Sequence, residues 1–302
     1  MAHASSPDTT TRPSLPLELR AATRENHHAL NTLIATRLLL CLSPHADNPL
    51  IYAKGMAAFG QVYFAFEDFL TASLASGDQD PRFQEIYNTL HLPQLIRTSR
   101  LQQDIETIKS RLEGSAAEEV NLLEHESKAF YSRIQGLLSA RPHVLLGYAW
   151  AMYLALFNGG RWIRRQLVSQ GPGFWHGPPI PLSFWEFDGD ATADSEGEHL
   201  KVLFQERLLA AASLLRDDEK DDVIKETTRL FELCSEIVHF LDNKLDTTPR
   251  SQPDTADSRL RGSFGELSPV TAAWQYLTSS YESLKTVTAW AWNTKQPSWP
   301  KA

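Results

Sequence analysis

The feature that most constrains this chain is a glycine pair, Gly159 and Gly160, set inside an otherwise helical run from Tyr148 to Leu167. Each interior glycine costs a helix about 1 kcal/mol relative to alanine. Two in succession, between Phe157 and Trp162, call for a bend or for bare backbone that a large flat group approaches closely. The other reading is a helix end, with Gly160 as a left-handed cap before a second helix. Periodicity favours one continuing helix: Tyr153, Leu156, Phe157, Gly160, Ile163 and Leu167 hold a single stripe. Two apolar turns precede the glycines, and a basic turn from Arg161 to Arg165 follows them.

The rest of the chain keeps the same period, and no alternating strand pattern interrupts it. Helices are expected over residues 17–40, 51–75, 93–112, 118–138, from Pro142 through the glycine pair, 199–215 and 217–245. Proline suits the first helical turn at Pro93 and Pro142. Residues 171–198 read as a Gly/Pro-rich acidic loop carrying two aromatic patches, 173–179 and 181–185. The expected organisation is a disordered Ser/Thr/Pro-rich lead (1–14) and one helical domain (15–246). A polar linker (247–268) and a C-terminal amphipathic helix and tail (269–302) follow.

Composition removes several function classes. The 29 Lys plus Arg against 37 Asp plus Glu give no reason to expect nucleic acid or an acidic membrane surface. The two cysteines, Cys41 and Cys234, are far apart and follow no zinc or redox spacing. They read as reduced thiols of an intracellular, cytoplasmic protein. The start of the chain lacks the apolar core of a secretory signal. No run reaches the roughly 18 apolar residues of a membrane span.

Six segments, in order, resemble the heme oxygenase family. Ala22-Thr23-Arg24-Glu25-Asn26-His27 is similar to its Ala-Thr-Lys-Glu-x-His, and Tyr63-Phe64-Ala65-Phe66-Glu67 to its Tyr-x-Ala-Leu-Glu. Arg97, Leu101 and Asp104 match Arg-x-x-x-Leu-x-x-Asp. Pro142 to Ala149 runs without a gap into the helix carrying Gly159 and Gly160, and is similar to the family's Pro-x-Leu-Leu leading into a distal helix with its own Gly-Gly, with one more residue before the Leu145-Leu146 pair. Leu200 to Arg207 is similar to Phe-Lys-x-Leu-Tyr-x-x-Arg. The resemblance implies an all-α fold, a single compact heme oxygenase-like helical domain with a C-terminal helical tail, clamping heme between two helices.

It also implies site residues. His27 matches the proximal heme ligand; its neighbour His28 lies about 100° further round the helix and cannot face the same iron. Arg20 and Arg24, one turn apart on the same face as His27, match basic positions near the heme propionates. Lys201 matches another, and Phe231 an aromatic that lines the pocket. Trp150 stands for a family tyrosine, Gln205 for an arginine and Asn31 for a glutamate. Gly159 and Gly160 match the distal glycines. The departure that bears on chemistry is Leu156, at the position of the family's distal aspartate in Gly-Asp-x-Ser-Gly-Gly. The resemblance puts its side chain at the distal heme face, where a leucine cannot orient a water or relay a proton. Asn158 and Arg161 are nearby polar groups with no spacing argument to place them over the iron.

Two functions follow. One is oxidative cleavage of heme, at once substrate and cofactor, to biliverdin, CO and iron with O2 and electrons from a reductase. The other is a heme carrier, store or sensor that keeps the pocket without the oxygen chemistry. A third, a diiron oxidase on the same scaffold, would draw on Glu67, Asp104, Glu124, His125 and Glu126, which lack the paired Glu-x-x-His pattern.

Overall fold

The computed structural model describes residues 12–76, 80–187 and 197–245. These form an all-α fold with no strand among them. The linker and C-terminal helix expected after residue 246, and the lead up to residue 11, lie outside the described residues. The helices are α1 (Leu15–Ala22), α2 (Arg24–Leu40), α3 (Leu50–Ala75), α4 (Pro81–Leu90), α5 (Thr98–Lys109) and α6 (Ala116–Ala140). After them come α7 (Leu145–Ala155), α8 (Arg161–Val168), α9 (Glu198–Ser213) and α10 (Asp217–Leu245).

Three expectations change in detail. The helix expected over 93–112 is a 3-10 turn at Pro93–Leu95 followed, after two non-helical residues, by α5. The first helix is broken at Thr23 into α1 and α2. The Thr23 hydroxyl donates to the carbonyl of Leu19 at 2.8 Å, a back-bond that bends helices. Helix α4 was hidden in the sequence by its shortness; it starts at Pro81 with Asp80 accepting from the Arg82 N–H as its cap.

The glycine-bearing helix does continue. Helix α7 passes through a π-helical turn, Leu156–Gly160, directly into α8. Gly160 is right-handed, at φ −58° and ψ −38°, and so is no left-handed cap. A methyl at Gly160 would come within 3.1 Å of the Trp185 ring, so the glycine admits that indole.

Helix α3 is apolar almost all round, with a long buried run from Ala57 to Glu67 broken only at Phe59. It packs against α6 along its length and against α5, as expected of a core helix. Helix α10 serves as a second spine, in contact with α1, α2, α3 and α7. Three of its carboxylates, Glu219, Glu226 and Asp242, are buried. Arg82 from α4 pairs with the first at 2.6 Å, Arg141 after α6 with the second at 2.6 Å, and Arg37 from α2 with the third at 2.8 Å.

Carboxylates offered by sequence as metal ligands are used elsewhere. Glu67 accepts from the backbone N–H of Arg97 and Thr98 and from the Thr98 hydroxyl, capping the start of α5 with negative charge. Asp104 accepts from the backbone N–H of Ser183 and Phe184 and from the Ser183 hydroxyl. That contact pins the aromatic segment 183–185, whose Phe184 and Trp185 are buried. Burial pushes both carboxyls above their usual range, against the hydrogen bonds they accept.

Candidate functional site

Helices α2 and α7 both pack on α10 and both line one cavity of about 350 Å³. Its wall is largely apolar, drawn from Leu30, Ile34, Met56, Phe59, Ile163 and Leu230 among others. From α1 and α2 come Arg20, Arg24 and His27, brought together at one edge by the spacing i, i+4, i+7 that survives the break at Thr23. Across from the aliphatic face of α2 stand Trp150, Ala155, Asn158 and Gly159.

The His27 ring opens onto the cavity and is exposed there, with protein enclosing it at longer range. That enclosure lowers its pKa, and the neighbouring His28 lowers it further. The ring stands edge-on to Phe231, with centroids 5.8 Å apart and planes at 78°. One amide nitrogen of Asn31 lies 3.2 Å from Nε2 and 3.4 Å from Nδ1. Turned the other way, the amide oxygen would accept the ring N–H and leave the second nitrogen's lone pair to the cavity. His28, also exposed, does not line the cavity. Arg24 is exposed at the cavity edge.

The remaining expected residues divide. Trp150, Phe231 and Gly159 line the cavity; Leu156, Gly160 and Lys201 do not. Leu156 is 2 % exposed and sits in the core, with Tyr153 and Phe157 of the same stripe. The expectation that its side chain points into the cavity is therefore corrected: the cavity wall at this register is Ala155, Asn158 and Gly159. Lys201 is 9 % exposed, with Glu198 3.9 Å away, and the same carboxylate pairs with Arg161 at 2.8 Å. Burial lowers the Lys201 pKa.

Several wall residues escaped the sequence reading. Trp185 reaches the cavity from the aromatic loop and donates its indole N–H to the Tyr52 hydroxyl at 2.9 Å. Its only signal was the Phe-Trp pair in that loop. The Tyr63 hydroxyl donates to the carbonyl of Met152 at 2.9 Å, tying α3 to α7 across the cavity floor. Cys41 and Cys234 both line the cavity, and burial raises each thiol to about 12, so both stay protonated near neutral pH. The Arg37–Asp242 pair closes the far end. Among the described residues no group of three or more His, Cys, Asp or Glu side chains is placed to hold a metal ion. No helix among them is long and apolar enough to cross a membrane.

The fold and the site define a class: an all-α protein enclosing an apolar cavity between a histidine-bearing helix and a glycine-bearing one, with arginines at one edge. Residues 14–239 match the family model for heme oxygenase, and the chain belongs to the heme oxygenase family. It is similar in fold to heme oxygenase 2 from Chlamydomonas reinhardtii, solved without heme: TM-score 0.60, 20% identity, 75% of this chain and 97% of that one. Heme oxygenase from Leptospira interrogans gives 0.55 and 19% over 75% and 98% of the two chains. Heme oxygenase-2 from Synechocystis sp. PCC 6803, solved with heme and NO, gives 0.57 and 17% over 78% and 87%. No curated protein matches the chain.

Proposed function

We propose that the cavity binds heme and that the protein cleaves it oxidatively to biliverdin, CO and iron, using O2 and electrons from a reductase. The observation that carries this reading is the exposed imidazole of His27 at the wall of an apolar cavity, with Arg20 and Arg24 on the same helical face. The cavity chemistry fits the group: a flat apolar macrocycle suits the aliphatic walls, carboxylates suit the arginine edge, and an imidazole suits iron. Bound heme would supply the site for O2 chemistry. The protein's residues would do the rest. His27, whose pKa protein enclosure lowers, presents a ring nitrogen to the cavity. Arg20 and Arg24 orient the propionates by charge-assisted hydrogen bonds. The Gly159 backbone lets the macrocycle approach the helix closely. The apolar wall limits water.

The experiment is a hemin titration of purified protein followed through the Soret band, then reductant under air with product identified by chromatography. His27→Ala is expected to abolish the histidine-ligated spectrum and His28→Ala to leave it nearly intact; equal loss in both would reject the assignment. Arg24→Ala is expected to weaken heme affinity by about 1–3 kcal/mol, with a smaller effect on the dimethyl ester. The same mutant-to-wild-type ratio for ester and free acid would remove the propionate role.

A second reading has its own observation. Residues 150–163 place no carboxylate and no basic side chain in the cavity wall, which favours a protein that holds heme without cleaving it. Stable heme, with no biliverdin after reduction in air, would select that reading.

A further inference from the structure

The stretch through the π turn has two faces. Tyr153, Leu156, Phe157, Gly160 and Leu167 are buried, while Ala151, Ala155, Asn158, Gly159 and Trp162 line the cavity. At about 100° per residue, Leu156 and Ala155 belong to different faces. Apart from the indole N–H groups of Trp150 and Trp162, Asn158 is the only polar side chain this stretch gives to the cavity.

The Asn158 amide serves nothing else in the fold. Its Oδ1 is buried with no hydrogen-bond partner. The residue as a whole is only half-buried and lines the cavity, so the end of the side chain left open is the amide N–H2. Turning the amide over would bury two donors instead of one acceptor, at greater cost. Asparagine is a poor helix former, so nothing in the local helix calls for it at this position. A side-chain N–H2 that faces an apolar cavity and has no acceptor in the fold points to an acceptor that arrives with the ligand. Four other polar groups in the cavity are already engaged. The Thr23 hydroxyl donates to Leu19, the Tyr63 hydroxyl to Met152, the Trp185 indole to Tyr52 and the Cys41 thiol to Arg37.

We infer that Asn158, and not the aligned Leu156, is the hydrogen-bonding residue of the glycine-bearing wall: its amide N–H donates to a small ligand held at the centre of the bound macrocycle, on the side away from His27. This rests on the heme reading. Asn158 falls on the serine of the family's Gly-Asp-x-Ser-Gly-Gly, two residues after the aspartate position that Leu156 holds; as an uncharged donor it orients a ligand but does not itself release a proton at neutral pH.

The test uses two probes on the heme-loaded protein: the C–O stretch of the ferrous form under CO, and the fluoride affinity of the ferric form. Asn158→Leu removes the donor at similar size. It is expected to raise the C–O frequency and to weaken fluoride binding about tenfold, the scale of one hydrogen bond. Asn158→Ala, which only removes atoms, gives the same direction if leucine prevents folding. Leu156→Ala should leave both readings at their wild-type values. An unchanged stretch and fluoride affinity in both Asn158 variants, with heme bound, overturns this inference alone. So does a Leu156→Ala shift as large as that of Asn158→Leu. A wild-type protein that gives no Soret band with hemin removes the heme reading, and this inference with it.

Discussion

His27 carries the clearest residue-scale consequence. Enclosure by protein, with His28 beside it, holds its pKa below the ordinary 6.5. In the unfolded chain the ring takes up a proton near 6.5, and in the folded chain only at lower pH. Its contribution to stability is therefore present above about pH 6.5 and is lost as pH falls below that value. The expected outcome is an imidazole titration by NMR with its midpoint below 6.5 in the ligand-free protein; a midpoint at or above 6.5 contradicts it. The same shift keeps the nitrogen lone pair available into mildly acid conditions. Arg97 shows the reverse of a surface cation. It is wholly buried, lies over the Phe187 ring at 4.9 Å, and is lowered to about 10 by burial, with Arg100 adding to the effect.

At the scale of elements, packing of α7 on α10 depends on a position that looks unremarkable in sequence. A methyl at Gly147 would overlap the Thr227 hydroxyl of α10, which itself donates to the carbonyl of Val223 at 2.7 Å. Gly147→Ala is expected to destabilise the protein by about 1–3 kcal/mol, as overpacking does. Adding Thr227→Ala should recover part of the loss. Chemical denaturation of the single and double variants checks this, and strict additivity would show that the two side chains do not compete for the space. The π turn illustrates the same dependence. The periodicity that argues for one continuing helix runs through Leu156, and its members Tyr153, Leu156, Phe157, Gly160 and Leu167 face the core, with Ile163 alone reaching the cavity. Carrying the family register over assigned Leu156 to the ligand face. The two expectations conflicted, and burial of the stripe decided between them.

For the whole molecule, α10 gathers the other helices through its buried carboxylates. Glu219 is held by two hydrogen bonds from Arg82 and one from the Arg216 backbone N–H. The Arg82 contacts first, then the Arg216 N–H, drop its pKa from 4.5 to about 2, against the opposing effect of burial. Because the folded value is the lower one, this stability is present above about pH 4.5 and lost as pH falls toward 2. Glu219→Gln is expected to cost about 1.5–3 kcal/mol at neutral pH, with the gap to wild type narrowing below pH 4.5. Thermal unfolding across that range checks it; a gap that stays constant to pH 3 would show that the carboxylate charge is not what stabilises the junction of α4 with α10.

By itself the sequence determined the all-α class, the span of α10, the continuity of the glycine-bearing helix and the face shared by Arg20, Arg24 and His27. Each follows from spacing along one helix, which local geometry converts directly into position. Tertiary structure alone decided which face of α7 meets the cavity, because a helix with apolar residues on both sides does not declare which side is covered. It also decided that Glu67 and Asp104 cap other segments, and that Trp185 and Asn158 enter the wall. Those outcomes depend on which chain segments meet across long sequence separations, and no local period encodes that.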